Sequence, residues 1–209
     1  RSTMAITRML YTTLYVPDAE GQPLPLLAES MDVISDTELH FNLVQGAKFS
    51  DGSEITADDV VASLNRALAS PNFSTLMGSI ESFEKVDDYT VKAVTSGPAP
   101  SIQLALSHCG TSILPAEYIE EAEASGDWSN PICSGPYVLD HRTIGQEVKV
   151  VKNEDYFCTE RAAQNTSITF KYVPEASSRT IMVETGEADA NYQFAAADKD
   201  TVAGNSDLT

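Results

Sequence analysis

The chain contains no run of about 18 apolar residues, so no segment of it can cross a bilayer as a helix. It is also poor in cations. Only 13 Lys and Arg stand against 31 Asp and Glu, a formal net charge of −18 over 209 residues. The cations are nowhere clustered, which argues against nucleic acid as a partner, since that needs a basic footprint to displace counterions. Anionic membrane surfaces are disfavoured for the same reason. Acidity of this size keeps a protein dispersed; long-range attraction of cationic ligands is its functional alternative. Cysteine is scarce: Cys109, Cys133 and Cys158 show no CxxC spacing, which excludes zinc-ribbon and thioredoxin-type readings. The odd count leaves at least one thiol free, and Cys109 and Cys133, each beside an expected strand end, could pair. The histidines His40, His108 and His141 lack H-x-x-x-H or carboxylate–His spacing, so neither a metal nor a cofactor is expected. No G-x-S-x-G, P-loop or G-x-G-x-x-G occurs, and Ser134 lacks an elbow glycine two residues before it. The first residues, Arg1-Ser2-Thr3-Met4-Ala5, have no apolar signal-peptide core, so the expectation is a cytosolic chain or one whose targeting segment has been removed.

What is present is an ordinary globular pattern. At 42% hydrophobic residues the chain can bury a real core, as one domain or two small ones. Residues 9–16 are apolar and β-prone, and read as a short helix or strand leading into the turn Pro17-Asp18-Ala19-Glu20-Gly21; Pro23 and Pro25 then keep the chain extended. From Glu38 to Val44, Leu39, Phe41 and Leu43 alternate with polar residues, the signature of a half-buried strand. Asp51-Gly52 turns the chain. Thr56 is an N-cap with Asp58 and Asp59 at the positive helix end, and Val60, Val61, Leu64, Ala67 and Leu68 form a helical stripe that stops before Ser70-Pro71. Further strands are expected at 90–95, 137–139, 148–152 and 168–173. Helices are expected at 102–107, from Pro115 to about 124 with Gly126 as terminator, and at 177–185 closed by Gly186. From Gln193 onward periodicity is lost. Strands and helices mix without a strict βαβ rhythm, which predicts an α/β fold with a mixed sheet.

The segment Lys48-Phe49-Ser50-Asp51-Gly52-Ser53-Glu54-Ile55-Thr56-Ala57-Asp58-Asp59-Val60 resembles the "KF-x-DG-x-x-(L/I)TA-x-DV" stretch of the family 5 extracellular solute-binding proteins, the peptide-, opine- and nickel-type receptors of ABC importers. Other matches follow in family order. Leu10-Tyr11-Thr12-Thr13-Leu14 is similar to "LYEGL", and Leu27-Ala28-Glu29-Ser30 to "LAES". Val86-Asp87-Asp88-Tyr89-Thr90-Val91, Ile113-Leu114-Pro115, Cys133-Ser134-Gly135-Pro136-Tyr137 ("GTGPY") and Lys152-Asn153-Glu154-Asp155-Tyr156-Phe157 ("NPDYW") come next, then Ala176 through Asp189 with Arg179. The chain departs from the pattern at Met31 and Phe157, where Trp is usual, at Cys133, where Gly is usual, and at Val44-Gln45, where two basic residues are usual.

This resemblance implies a periplasmic-binding-protein fold of type II character, of which the chain would be the first lobe with the extra subdomain of the large peptide receptors. Residues 1–25 and 130–195 would form the hinge-proximal sheet, 26–129 the inserted subdomain, and 196–209 the crossover toward a second lobe. It implies capture of an oligopeptide or similar small solute, with an ABC permease and its ATPase as partners, and a periplasmic or lipid-tethered location at the cell surface. Three segments map to the cleft rim: Tyr11, Thr12, Thr13 and Tyr15; the turn bearing Ser134; and Asn191, Tyr192, Gln193 and Phe194. Simple packing near the hinge is the alternative for their aromatic residues, and Gly135-Pro136-Tyr137 reads as a fixed structural turn. A receptor serving sensing or regulation, and a hydrolase, are the competing functions.

Overall fold

A computed structural model describes residues 2–192 and 199–205 of the chain. Helix α1 (Ser2–Leu10) leads through an irregular stretch into the short strands β1 (Tyr15–Pro17) and β2 (Pro23–Pro25), which pair antiparallel. Between them Asp18 Oδ1 accepts from the backbone N–H groups of Glu20 and Gln22, which makes the expected turn. Strands β3 (Ala28–Ser35), β4 (Glu38–Leu43), β5 (Ile80–Asp87) and β6 (Thr90–Thr95) form a four-stranded sheet in the order β3-β4-β6-β5. Helix α2 (Ala57–Ala69) covers one face of it. Two short helices, α3 (Ser74–Met77) and α4 (Ile102–Ala105), and the longer α5 (Ala116–Ser125) complete this part. Strands β7 (Tyr137–Thr143), β8 (Glu147–Lys152) and β9 (Ser167–Lys171) form a three-stranded sheet, followed by α6 (Ala176–Glu184) and α7 (Lys199–Gly204).

Local chemistry explains most of these boundaries. The Asp59 carboxylate reaches back to accept from the N–H (2.9 Å) and the hydroxyl of Thr56 (3.1 Å). It thereby satisfies a donor that the start of α2 would leave open. Its second oxygen accepts from Ala116 N–H at 2.9 Å, so the same side chain starts α2 and tethers α5. Gly126 closes α5 at φ 74°, a left-handed conformation that glycine adopts without a Cβ clash. In β4 the residues Leu39, Phe41 and Leu43 are buried and alternate with half-buried polar neighbours. Leu39 lies opposite Ala93 and Phe41 opposite Val91, so β4 and β6 turn one apolar face toward α2.

Two apolar clusters result. The larger packs α2, through Val60 and Leu64, onto the four-stranded sheet, and extends to Leu14, Tyr15 and Leu27 on one side and Ile102, Leu106 and Ile113 on the other. The smaller sets Leu10, Ile6 and Met9 of α1 against Tyr137, Val148, Val150, Ile168 and Phe170 of the β7-β8-β9 sheet, with Cys133 between.

The α/β character stands, but the expectation of a mixed sheet is corrected: every strand pair among the described residues is antiparallel. Tight hairpin turns join β3 to β4, β5 to β6 and β7 to β8, and a tight turn can only return the chain antiparallel. The possible pairing of Cys109 with Cys133 is not made either: all three thiols are free, and Cys133 is buried in the smaller cluster. Helix α1 and strands β3 and β5 were not anticipated from periodicity.

Candidate ligand-binding cleft

Residues 11–15 connect the two clusters, and their backbone is held on several sides. Leu10 C=O accepts from the N–H groups of Ser134 (3.0 Å) and Gly135 (2.9 Å). Thr12 N–H donates to Ser134 Oγ at 2.9 Å, and that hydroxyl donates in turn to Ile113 C=O at 2.8 Å. Ile113 N–H closes the ring by donating to Thr12 C=O at 2.9 Å. Farther along, Leu14 C=O accepts from Leu26 and Ala28, and Tyr15 N–H donates to Leu106 C=O. On the other side of the turn, Asn153 Nδ2 donates to Gly135 C=O (2.9 Å) and Asn153 N–H to Pro136 C=O (2.9 Å). The Lys48–Ile55 segment joins the same junction: Ser50 N–H donates to Cys133 C=O at 2.8 Å, and Cys133 N–H to Ser50 Oγ at 2.9 Å. A stretch recognisable by its sequence thus also has a mechanical role, gripping the 133–135 turn.

This network sorts the expected site residues. Ser134 exposes no surface (0%), and its hydroxyl both accepts and donates within the chain, so its observed role is that of a strut. Tyr15 (1% exposed) packs edge-on against Phe41, ring centroids 6.3 Å apart, and Thr12 is buried as well. Tyr11 is half-buried, and Thr13 is buried with its hydroxyl donating to Tyr15 C=O, yet both reach a depression in the surface. They line a small cleft of about 180 Å³ together with Arg8, Tyr156 and Arg161. Asn191, half-buried, and Tyr192, exposed, do not line it; Gln193 and Phe194 lie outside the described residues.

The cleft's electrostatics run against those of the chain as a whole. Two guanidiniums line it and no carboxylate does. By contrast, an open groove of about 450 Å³ at the β4–β6 end carries Glu29, Asp87 and Asp88 and no cation. Several cations elsewhere are neutralised: Arg66 pairs with Glu123 (2.8 Å), Lys85 with Asp58 (2.7 Å), Lys92 with Glu84 (2.7 Å) and Lys149 with Asp140 (3.2 Å). Among the described residues neither Arg8 nor Arg161 has an acidic partner. Burial pushes the Tyr156 phenol up to about 12 and raises Tyr11 further, so both remain protonated donors at neutral pH. His108 lies close by; burial first, and Arg8 second, hold its pKa down. Its Nδ1 accepts from Gly110 N–H at 3.0 Å, so it is a neutral imidazole capping a turn.

Arg8, Tyr156 and Arg161 escaped the reading of the sequence. Tyr156 lies in the Lys152–Phe157 stretch that resembles the family, which is a signal for it; Arg8 and Arg161 carry no pattern that would single them out.

The family described as bacterial extracellular solute-binding proteins, family 5 Middle, matches residues 22–209. The periplasmic oligopeptide-binding protein OppA of Escherichia coli (strain K12) is 30% identical over 198 residues, covering 84% of this chain and 36% of its own length. The glutathione-binding protein GsiB of the same strain is 31% identical over 191 residues, covering 89% and 37%. The solved structure of AgaA with agropinic acid, from A.tumefacien, superposes with a TM-score of 0.89 at 28% identity, over 98% of this chain and 42% of that one. The chain therefore spans well under half the length of the curated relatives it matches. With a match that covers residues 22–209, the chain belongs to the family 5 bacterial extracellular solute-binding proteins.

Proposed function

We propose that this chain is the first lobe of a two-lobed receptor that captures an oligopeptide or similar small solute and presents it to an ABC permease outside the cytoplasmic membrane. The observation that carries the reading is the cleft at Tyr11 and Thr13, built on a stretch whose backbone is braced from both clusters. Rigid scaffolding of a surface depression is what a binding lobe needs, because an ordered site loses little entropy on association. The ligands of the relatives, oligopeptide, glutathione and agropinic acid, support a small polar solute. The smaller cluster would be the hinge-proximal part, residues 1–25 with 130–195. The larger would be the inserted subdomain, residues 26–129, with 196–209 leading toward the second lobe. The two apolar clusters support that division, although Leu14 and Tyr15 already pack in the larger one. Asn191, Tyr192, Gln193 and Phe194 would meet the solute only at the crossover. In such a receptor ligand stabilises the closed arrangement of the lobes, and the permease recognises that arrangement. Catalysis has no part in it.

The test is calorimetry of the 209-residue chain against a peptide mixture, with thermal melts of the complete gene product alongside. The chain alone is expected to bind weakly or not at all. The complete product should gain stability with peptide, by about 2.7 kcal/mol at a ligand concentration 100 times Kd. Micromolar binding by the chain alone, or no stabilisation of the complete product, would contradict the reading.

A further inference from the structure

We propose that the cleft is a carboxylate subsite: Arg8 and Arg161 hold an anionic group of the solute, and the phenols of Tyr11 and Tyr156 donate hydrogen bonds to it. The inference rests on the reading that solute meets this lobe at the cleft, and adds which chemical group arrives there.

Three observations converge. First, every long side chain named here is a donor. A guanidinium has five N–H groups and no acceptor, and a planar fork that matches a carboxylate. A phenol held protonated offers its O–H. The phenols and the hydroxyls of Thr13, Ser107 and Ser112 can also accept, but no group lining the cleft carries a negative charge to balance a cationic ligand. Second, two guanidiniums without an ion pair share one cleft, whereas Lys48, Arg142 and Lys171, which also form none among the described residues, do not line it. In a chain with 31 acidic residues, Arg66, Lys85, Lys92, Lys149 and Lys152 each find a carboxylate within 3.2 Å, while Arg8 and Arg161 face the cleft without one among the described residues. At a net charge of −18 the surface as a whole repels anions, so an anion is held only where cations are concentrated locally. Third, the size fits. A volume of about 180 Å³ corresponds to about six water molecules, room for a carboxylate and the first carbons behind it and not for a whole peptide. The cleft would therefore take one end or one acidic side chain of a longer solute.

The probe is succinate, titrated into the isotopically labelled 209-residue chain at constant ionic strength, with succinamide as its uncharged counterpart. The readouts are the Nε–H signals of Arg8 and Arg161 and the ring signals of Tyr11 and Tyr156. Saturable shifts confined to these residues are expected, with a Kd on the order of 1 mM. Arg8→Gln or Arg161→Gln should weaken the titration about 10-fold, and both together should abolish it. Arg142→Gln, on the exposed end of β7 away from the cleft, should leave it unchanged. Equal shifts with succinamide, shifts spread over the surface, or a titration indifferent to both cleft substitutions would overturn the proposal. The outcome separates from that of the receptor reading. If the complete product binds peptide with the same affinity whether or not Arg8 and Arg161 are replaced, the subsite is wrong and the receptor stands. If succinate titrates the cleft but the complete product binds no peptide, the receptor reading fails alone.

Discussion

Replacing Gly135 with alanine tests whether the junction between the two clusters is as tight as its geometry indicates. A Cβ built there would stand 2.4 Å from Met9 C=O, 2.7 Å from the Leu10 carbonyl carbon and 2.7 Å from Tyr11 N. All three are backbone atoms, so no rotamer change relieves the contact. The end of α1 would have to retreat by about 1 Å to restore van der Waals distance, against a packed interior that resists such shifts. Overpacking of this kind costs about 1–3 kcal/mol. The retreat also stretches the paired bonds from Ser134 and Gly135 to Leu10 C=O, each worth about 0.5–1.5 kcal/mol. The expected loss is about 3 kcal/mol. For a chain of this length that lowers the melting temperature by about 6–12 °C, and the urea midpoint by about 1 M. Urea unfolding can be followed through Trp128, the single tryptophan, which meets Tyr118 edge-on at 5.7 Å and lies 4.5 Å beneath the Arg66 guanidinium. Gly97→Ala is the control: an added Cβ there meets nothing within 4 Å, and the change should stay within about 0.5 kcal/mol. If Gly135→Ala unfolds within about 0.5 kcal/mol of the parent, the junction yields freely, and the argument that it braces the cleft is wrong.

Cys133 is 1% exposed and burial pushes its thiol pKa up, whereas Cys109 and Cys158 are half-buried; brief native-state alkylation followed by mass spectrometry should find Cys133 unmodified while the other two react, and early labelling of Cys133 would contradict its place in the smaller cluster. His141 contacts Glu147 (3.0 Å) and Asp140 (3.0 Å), which raise its pKa, while burial and Arg8 lower that of His108, so an NMR titration should place their midpoints on opposite sides of about 6.5. Because the folded pKa of His141 is the higher one, its stabilising contribution is complete below the unfolded value and fades as pH rises through the folded value; the stability difference between the parent and His141→Gln should shrink over that interval, and a difference that grows with pH would refute the assignment.

The elements legible in the sequence are those whose signals are local. Helix α2 declares itself through Thr56, Asp59 and the stripe from Val60 to Leu68, all within a few turns of one another. Strand β4 sits between two neighbours with one face on the core, so its alternation survives intact. Strands β3 and β5 are the edges of the same sheet and are largely exposed, which removes the period of two that would have marked them. Helix α1 is short, and its apolar face makes sense only against the β7-β8-β9 sheet, far along the chain. The candidate site divided in the same way. Tyr11 and Thr13 were reached through a motif and do line the cleft; Tyr15 and Ser134 were reached through motifs too, and the fold turned both inward.

Residue order alone thus determined membership in a family of solute binders, the principal helices and strands, and the absence of nucleotide and nucleophile motifs, because capping, turn chemistry and periodicity act between near neighbours. Only the tertiary structure decided that the sheets are antiparallel, that Ser134 is a strut, and that Arg8 meets Arg161 and Tyr156 around one cleft. Those facts depend on contacts between segments separated by most of the chain, where the energy comes from mutual burial and shared hydrogen bonds that no local pattern encodes.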